Sequence, residues 1–167
     1  QTFGSPAIWR RVLPHCRERR LAFPALERLL IAGAPVPTRL VEGLRELLPH
    51  GEVHTPYGAT EALPVTSISE EEILARRERT ERGEGSCVGR PVPGVDLRLI
   101  AIDDRAIASW SEARAVPPGE PGEICVRGPQ VTRAYERDGA ATELAKIADG
   151  TSFWHRLGDV GRFDAEG

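Results

Sequence analysis

EVHTPYGATEALPVTSI, residues 52–68, breaks an apolar, β-branched pattern for one short polar interruption. Glu52–His54 reads as the start of a strand, and residues 62–68 return to apolar and β-branched side chains. Between them, TPYGATE offers one aromatic ring (Tyr57), Gly58, two threonine hydroxyls and the carboxylate of Glu61. A loop at the end of a parallel strand is where α/β sheets bind ligands. In such a loop Gly58 permits close backbone approach. Tyr57 gives a flat face, Thr60 a hydroxyl, and Glu61 a hard oxygen ligand for a cation such as Mg²⁺. A bound nucleotide with its metal needs those groups. The same heptad also reads as a β-turn with one core tyrosine and a surface glutamate, and by itself leaves both readings open.

Working outward, residues 6–20 (PAIWRRVLPHCRERR) place Ile8, Trp9, Val12 and Leu13 at helical spacing, with Pro14 expected to bend or end the helix. Leu29–Ala32 reads as a strand breaking at Gly33. Residues 38–49 (TRLVEGLRELLP) put Leu40, Val41, Leu44, Leu47 and Leu48 on one helical face, with Thr38 as the expected N-cap and Pro49 and Gly51 as stops. This strand–loop–helix–strand order predicts an α/β domain edge. Ser69 and Glu72 fit a capping box opening a charged, solvated helix that grades into a glycine linker. Its GEGSCVG is spaced GxGxxxG and follows a helix, so it is no dinucleotide fingerprint. From residue 86 the texture is β: DLRLIAID and GEICVRG alternate with period two between turn signals, predicting short antiparallel strands in a barrel or small sheet.

Composition narrows the function. The 167 residues suffice for a core, and a net charge of −3 gives no basis for nucleic acid or an anionic membrane as partner. There is no methionine, and the ends carry no polar tails, so the chain is expected to be an internal piece of a longer protein. Cys16, Cys87 and Cys125 are widely spaced and odd in number, which fits reduced thiols in the cytoplasm and no zinc site. No apolar run reaches the roughly 18 residues of a transmembrane span. Lys146, the only lysine, is expected at the surface, and Trp9, Trp110 and Trp154 in packing roles.

Two further segments complete the pattern. AGAPVP, residues 32–37, is a strand-end loop stiffened by two prolines. WHRLGDVG, residues 154–161, sets Asp159 between two glycines, as in a tight loop that displays a carboxylate able to accept both hydroxyls of a ribose; an ordinary Asp turn is the plain alternative. In this order, AGAPVP, YGATE, GEICVRGP and HRLGDVG resemble the G-G-A-P-[LV], YGxTE, GE-[IL]-x-[IV]-RGP and R-T-G-D-[LV]-G motifs of the adenylate-forming (AMP-binding) superfamily of acyl-CoA synthetases and luciferases. HTPYGATEALPV and the long segment before GEI are most similar to its olefin β-lactone synthetase subfamily.

The resemblance implies an α/β fold: the central part of a large N-terminal domain. Residues 1–68 would end an α/β AMP-binding subdomain, 69–85 form the charged linker helix, and 86–167 belong to a β-barrel subdomain. Gly33, Ala34 and Pro35 would line the adenine pocket and Tyr57 would stack on the base. Gly58 and Ala59 would flank the acyl carboxylate, Thr60 contact phosphate, Glu61 ligate Mg²⁺, and Asp159 bind the ribose. Thr60 and Glu61 are thus the catalytic candidates, and ATP and Mg²⁺ the implied cofactors. A long-chain acyl substrate is implied, with other enzymes of olefin biosynthesis as partners. CoA enters only if the protein is a long-chain fatty acyl-CoA synthetase instead; a non-catalytic nucleotide-binding module is the reading from another class. The sequence departs from the family at Leu157, where the motif has threonine. The superfamily's phosphate loop and catalytic lysine have no counterpart in these residues, so the chain alone is expected to be inactive.

Overall fold

The computed structural model describes residues 1–165, which divide into two compact units: Gln1–Tyr57 with Thr66–Arg90, and Gly58–Val65 with the chain from Pro91 onward.

In the first unit, β1 (Thr2–Gly4), β2 (Arg28–Ile31) and β3 (Glu52–Ala59) run parallel, with Leu29 opposite Thr2 and Val53 opposite Leu29. The sheet continues in chain order through β4 (Ala62–Ser69) and β5 (Arg90–Pro91). Two helices, α1 (Pro6–Glu18) and α2 (Thr38–Arg45), pack on each other and close the core. Leu40, Val41, Leu44, Leu47 and Leu48 are all buried, as the helical spacing requires, together with Trp9, Leu13, Cys16, Leu29, Ile31 and Val53. The helices pack closely because position 43 has no side chain: a Cβ there would lie 2.5 Å from Leu13. Arg17 of α1 then forms a bidentate pair with Glu46 just beyond α2.

Three local expectations change. Pro14 does not end α1, which continues to Glu18. Pro14 and Arg10 are exposed, so the carbonyl that loses its N–H partner can be hydrated, while Leu13 and Cys16 on the buried face hold the helix across the proline. Thr38 is the first helical residue and not the cap; the cap is Pro37, without a side-chain bond. Ile8, counted with the apolar face of α1, is exposed.

The charged stretch forms α3 (Glu70–Ala75) and α4 (Arg77–Glu81), and Ser69 and Glu72 make the reciprocal capping box. One of its acids is not solvated. Glu70 is buried, accepts the Val53 amide at 2.9 Å and pairs with Arg45 at 3.1 Å. The helix start is thereby pinned to β3 and to the end of α2.

In the second unit, β6 (Asp96–Ile100), β7 (Gly122–Arg127), β8 (Lys146–Asp149) and β9 (Ser152–Gly161) form an antiparallel sheet in the order β6-β7-β9-β8, with α5 (Gly139–Ala145) before β8. Ile100, Ile107, Cys125, Ile147 and Trp154 form one of its buried clusters. The register of β7 on β9 slips: Glu123 faces Val160, yet Cys125 faces Arg156, so β9 carries extra residues in a bulge. Across that irregularity lies a buried ion pair. Arg156 Nε meets both Glu123 oxygens at 3.1 and 3.0 Å, and Nη2 meets Oε2 at 2.7 Å. The remaining guanidinium hydrogens go to the carbonyls of Arg105 (2.8 Å), Leu144 (3.2 Å) and Asp103.

Removing one partner of a buried pair leaves an uncompensated charge and costs about 3–5 kcal/mol. Glu123→Gln is expected to lower unfolding stability by about that amount in denaturant titration. Glu123→Leu with Arg156→Met should not restore it, because three carbonyls lose their donor. Full recovery in the apolar double variant would show that the carbonyl contacts contribute nothing.

Candidate functional site

The expected strand-end loop at residues 55–61 is mostly strand. β3 runs through Tyr57, Gly58 and Ala59, and only Thr60 and Glu61 form the turn into β4. A connection this short joins antiparallel strands, so the parallel sheet changes direction here. Gly58 is required by that hairpin: a Cβ would lie 2.3 Å from the Ala62 carbonyl oxygen. Tight pairing leaves the turn no slack and presents Thr60, exposed, and Glu61, half-buried, at its tip.

In the first unit, Gly33, Ala34 and Pro35 form an irregular segment directly after β2, with Gly33 at φ +89° and open space around its Cβ position. Tyr57, half-buried, lies near the carboxyl end of the adjacent parallel strand β3. These four residues therefore share the carboxyl edge of one parallel strand pair, the usual ligand edge of such sheets.

In the second unit, Glu61 is held from several sides. Its carbonyl accepts the Thr132 amide at 2.8 Å. Its own amide, the Tyr135 hydroxyl, and the nearby His155 and Lys146 keep the carboxyl below the usual glutamate range against the opposing effect of burial. Burial, then donation to Glu61, raises the Tyr135 phenol. Burial lowers Lys146, with Glu61 acting the other way. His155 is lowered by burial and by Lys146, and its Nδ1 meets the Ala145 carbonyl at 3.2 Å.

Lys146 is not the surface residue the sequence suggested. It is half-buried at the start of β8, opposite His155, and its Nζ donates to the Thr132 carbonyl at 2.5 Å while lying 5.3 Å from the centre of the Phe153 ring. Asp159 also differs from expectation: it sits within strand β9 and not in a loop. The display survives by another route. Gly158 at φ +73° lies in the bulged part of β9, and a bulge re-aims the neighbouring side chains; Asp159 is exposed.

Sequence reasoning missed Tyr135, Thr132, Lys146 and His155 as neighbours of Glu61. The available signals were rarity and register: Tyr135 is one of two tyrosines and Lys146 the only lysine. Trp110 and Trp154 pack as expected, stacked at 4.4 Å, and Trp9 is buried.

Among the described residues no group of three or more His, Cys, Asp or Glu side chains could hold a metal. A single hard carboxylate fits Mg²⁺ well when phosphate oxygens and water complete the octahedron, the usual arrangement for nucleotide-bound magnesium. Glu61, anionic and at a turn tip, meets that requirement. No described helix is long and apolar enough to cross a membrane.

The chain is 47% identical, over its whole length, to an olefin beta-lactone synthetase of Stenotrophomonas maltophilia, and 46% identical to one of Xanthomonas campestris pv. campestris. It spans about a third of those relatives, 31% and 30% of their lengths. A long-chain-fatty-acid–CoA ligase of Escherichia coli is 31% identical over 98% of the chain and 25% of its own length. Among solved structures, VinN superposes with a TM-score of 0.73 at 26% identity, covering 99% of this chain and 37% of VinN. O-succinylbenzoate coenzyme A synthetase of Bacillus subtilis, in complex with ATP and magnesium ion, gives 0.71 at 25% identity, covering 99% and 29%. The family described as AMP-binding enzyme matches residues 1–136, and the chain, α/β in fold, belongs to that family of adenylate-forming ligases.

Proposed function

We propose that the full-length protein carrying this chain activates a long-chain 2-alkyl-3-hydroxy acid with ATP and closes it to a β-lactone. An oxygen of the acid attacks the α-phosphate, pyrophosphate leaves, and an acyl-adenylate forms. The substrate's own 3-hydroxyl then attacks the activated carbonyl and AMP leaves. The observation that carries this reading is the 46–47% identity to two olefin beta-lactone synthetases over the entire chain, against 31% for the fatty-acid ligase.

In this reading, Gly33, Ala34 and Pro35 with Tyr57 receive the adenine, and Asp159 the ribose hydroxyls. Gly58 and Ala59 form the strand edge passed by the acyl carboxylate. Thr60 contacts phosphate, and Glu61 supplies the protein ligand to Mg²⁺. The ion, when bound, contributes positive charge against the charge developing on the phosphates. Intramolecular attack needs no second substrate, because the hydroxyl is already held near the carbonyl. The second reading, a fatty acyl-CoA synthetase, shares the adenylate and differs in its nucleophile; the E. coli ligase is the relative that favours it. Either reaction belongs in the cytoplasm, where ATP is supplied.

Three outcomes are expected of the full-length protein. Glu61→Gln keeps the shape and removes the charge, and should lower ATP–pyrophosphate exchange by about 10²–10³ with unchanged circular dichroism. Asp159→Ala should raise KM for ATP more than it lowers kcat, since a ribose contact is made in ground and transition states alike. Mass spectrometry of the organic product, run with and without CoA, should show a β-lactone from the 3-hydroxy acid in both conditions and no product from its 3-deoxy analogue. A thioester formed only with CoA, and equally from the deoxy acid, would replace the lactone reading with the synthetase one.

A further inference from the structure

We propose that Lys146 is a positioning residue for the Thr60–Glu61 turn, acting through the main chain of Thr132. The proposal rests on the metal role given above to Glu61.

The segment between β7 and α5 has no regular secondary structure, so its polar groups must find partners elsewhere. Two of them find partners around the β3–β4 turn. The Thr132 amide donates to the Glu61 carbonyl at 2.8 Å, and Gln130 Nε2 donates to the Pro64 carbonyl at 2.7 Å. Gln130 is itself held in place by a bare position beside it: a Cβ on Gly128 would lie 2.9 Å from Gln130 Oε1. Val131, between the two donors, is buried, and its amide closes a turn on the Gly128 carbonyl at 3.2 Å. The segment is therefore a strap that grips the turn at two carbonyls, those of Glu61 and Pro64.

Lys146 anchors the same strap to the sheet. It opens β8 and pairs opposite His155 on β9, so its backbone belongs to regular structure. Its Nζ donates to the Thr132 carbonyl at 2.5 Å and lies 5.3 Å from the centre of the Phe153 ring. One residue, Thr132, thus donates to Glu61 and accepts from Lys146. A bond from a charged donor is worth about 1.5–3 kcal/mol, against about 0.5–1.5 kcal/mol for a neutral pair. Three residues on, the strap is tied again, by a neutral bond from the Tyr135 amide to Thr142 Oγ1 at 3.0 Å. Without the ammonium, Thr132 would move with the irregular chain, and the main chain that carries Glu61 would lose its fixed neighbour. Mg²⁺ demands near-ideal octahedral geometry, so a ligand on a loosened turn binds it less well. The charge of Lys146 has the same sign as the metal and by itself opposes metal binding. Charge and position therefore act with opposite signs, which makes them separable.

The test uses the full-length protein, with Mn²⁺ as spectroscopic probe and α,β-methylene-ATP, which cannot release pyrophosphate. Electron paramagnetic resonance titration reads Mn²⁺ affinity, and calorimetry reads affinity for the analogue without metal. Losing a group that supports a metal ligand weakens metal affinity about 10–100-fold, and Lys146→Met is expected at the lower end, about tenfold. Metal-free affinity for the analogue should be unchanged, because β9 and its Asp159 are left in place. Lys146→Arg keeps a charged donor and should recover most of the loss. In Glu61→Gln, Lys146→Met should add no further loss, since Lys146 acts on the metal only through that turn. Equal or tighter Mn²⁺ binding in Lys146→Met, with Glu61→Gln weakened, overturns the positioning role and leaves the metal role of Glu61 standing; tighter binding is what removing a like charge alone would give. A parallel loss of metal-free affinity overturns it too, by showing a general loosening of the unit. Additive losses in the double variant also overturn it, since Lys146 would then act elsewhere. Unchanged affinity in Glu61→Gln overturns the metal reading itself.

Discussion

The second unit depends on one buried ion pair, Arg156 with Glu123. Two charges removed from water must be repaid by close geometry and by bonds to every remaining donor. Here the guanidinium meets both carboxylate oxygens and three backbone carbonyls, from Asp103, Arg105 and Leu144. One side chain thus ties β9 to β7, to the segment after β6 and to the end of α5. The pair lies where the β7–β9 register slips, so it fixes the bulge that carries Gly158 and Asp159. Both residues, each carried by a motif, lie in the interior and bond to each other.

A second device holds the long segment between β6 and β7. Trp110 stacks on Trp154, and Arg127 lies 4.5 Å from the centre of the Trp154 ring. Asp149 accepts from both Arg127 Nη1 (2.9 Å) and Trp154 Nε1 (3.0 Å). Aromatic stacking and a cation over an indole each contribute about 0.5–1.5 kcal/mol, modest singly but directed at one ring. Gly122 completes the arrangement, since a Cβ there would lie 2.6 Å from the Ile100 carbonyl oxygen. The segment therefore returns to the sheet at a fixed place, and β7 starts with its alternation in step with β6.

The two devices also bound the segment that reaches the β3–β4 turn. Glu61 is held by the strap between β7 and α5, and that strap is bounded by a strand and a helix fixed by Arg156. The first unit supplies its share through a different principle: parallel strands end together, so the Gly33–Pro35 segment and Tyr57 reach one edge without any special bond.

Most of the local structure was written in the residues themselves. Apolar spacing in 38–48 gave α2 and its buried face, Ser69 and Glu72 gave the start of α3, and strict alternation gave β6 and β7. The ordered motifs also revealed the family. Helix limits escaped, as at Pro14 and Thr38, because burial of a helix face outweighs the signals at its ends. The loop expected at 55–61 proved to be strand except for the turn at Thr60 and Glu61, and the one at 154–161 proved to be strand: a glycine permits a turn, but only the neighbouring strand decides whether it pairs or bends. Glu70, Glu123, Arg156, Tyr135 and Lys146 were legible as polar residues and not as interior or site-building ones. Whether a charge is solvated, buried or aimed at a ligand depends on partners distant in sequence, and those partners meet only when the chain has folded.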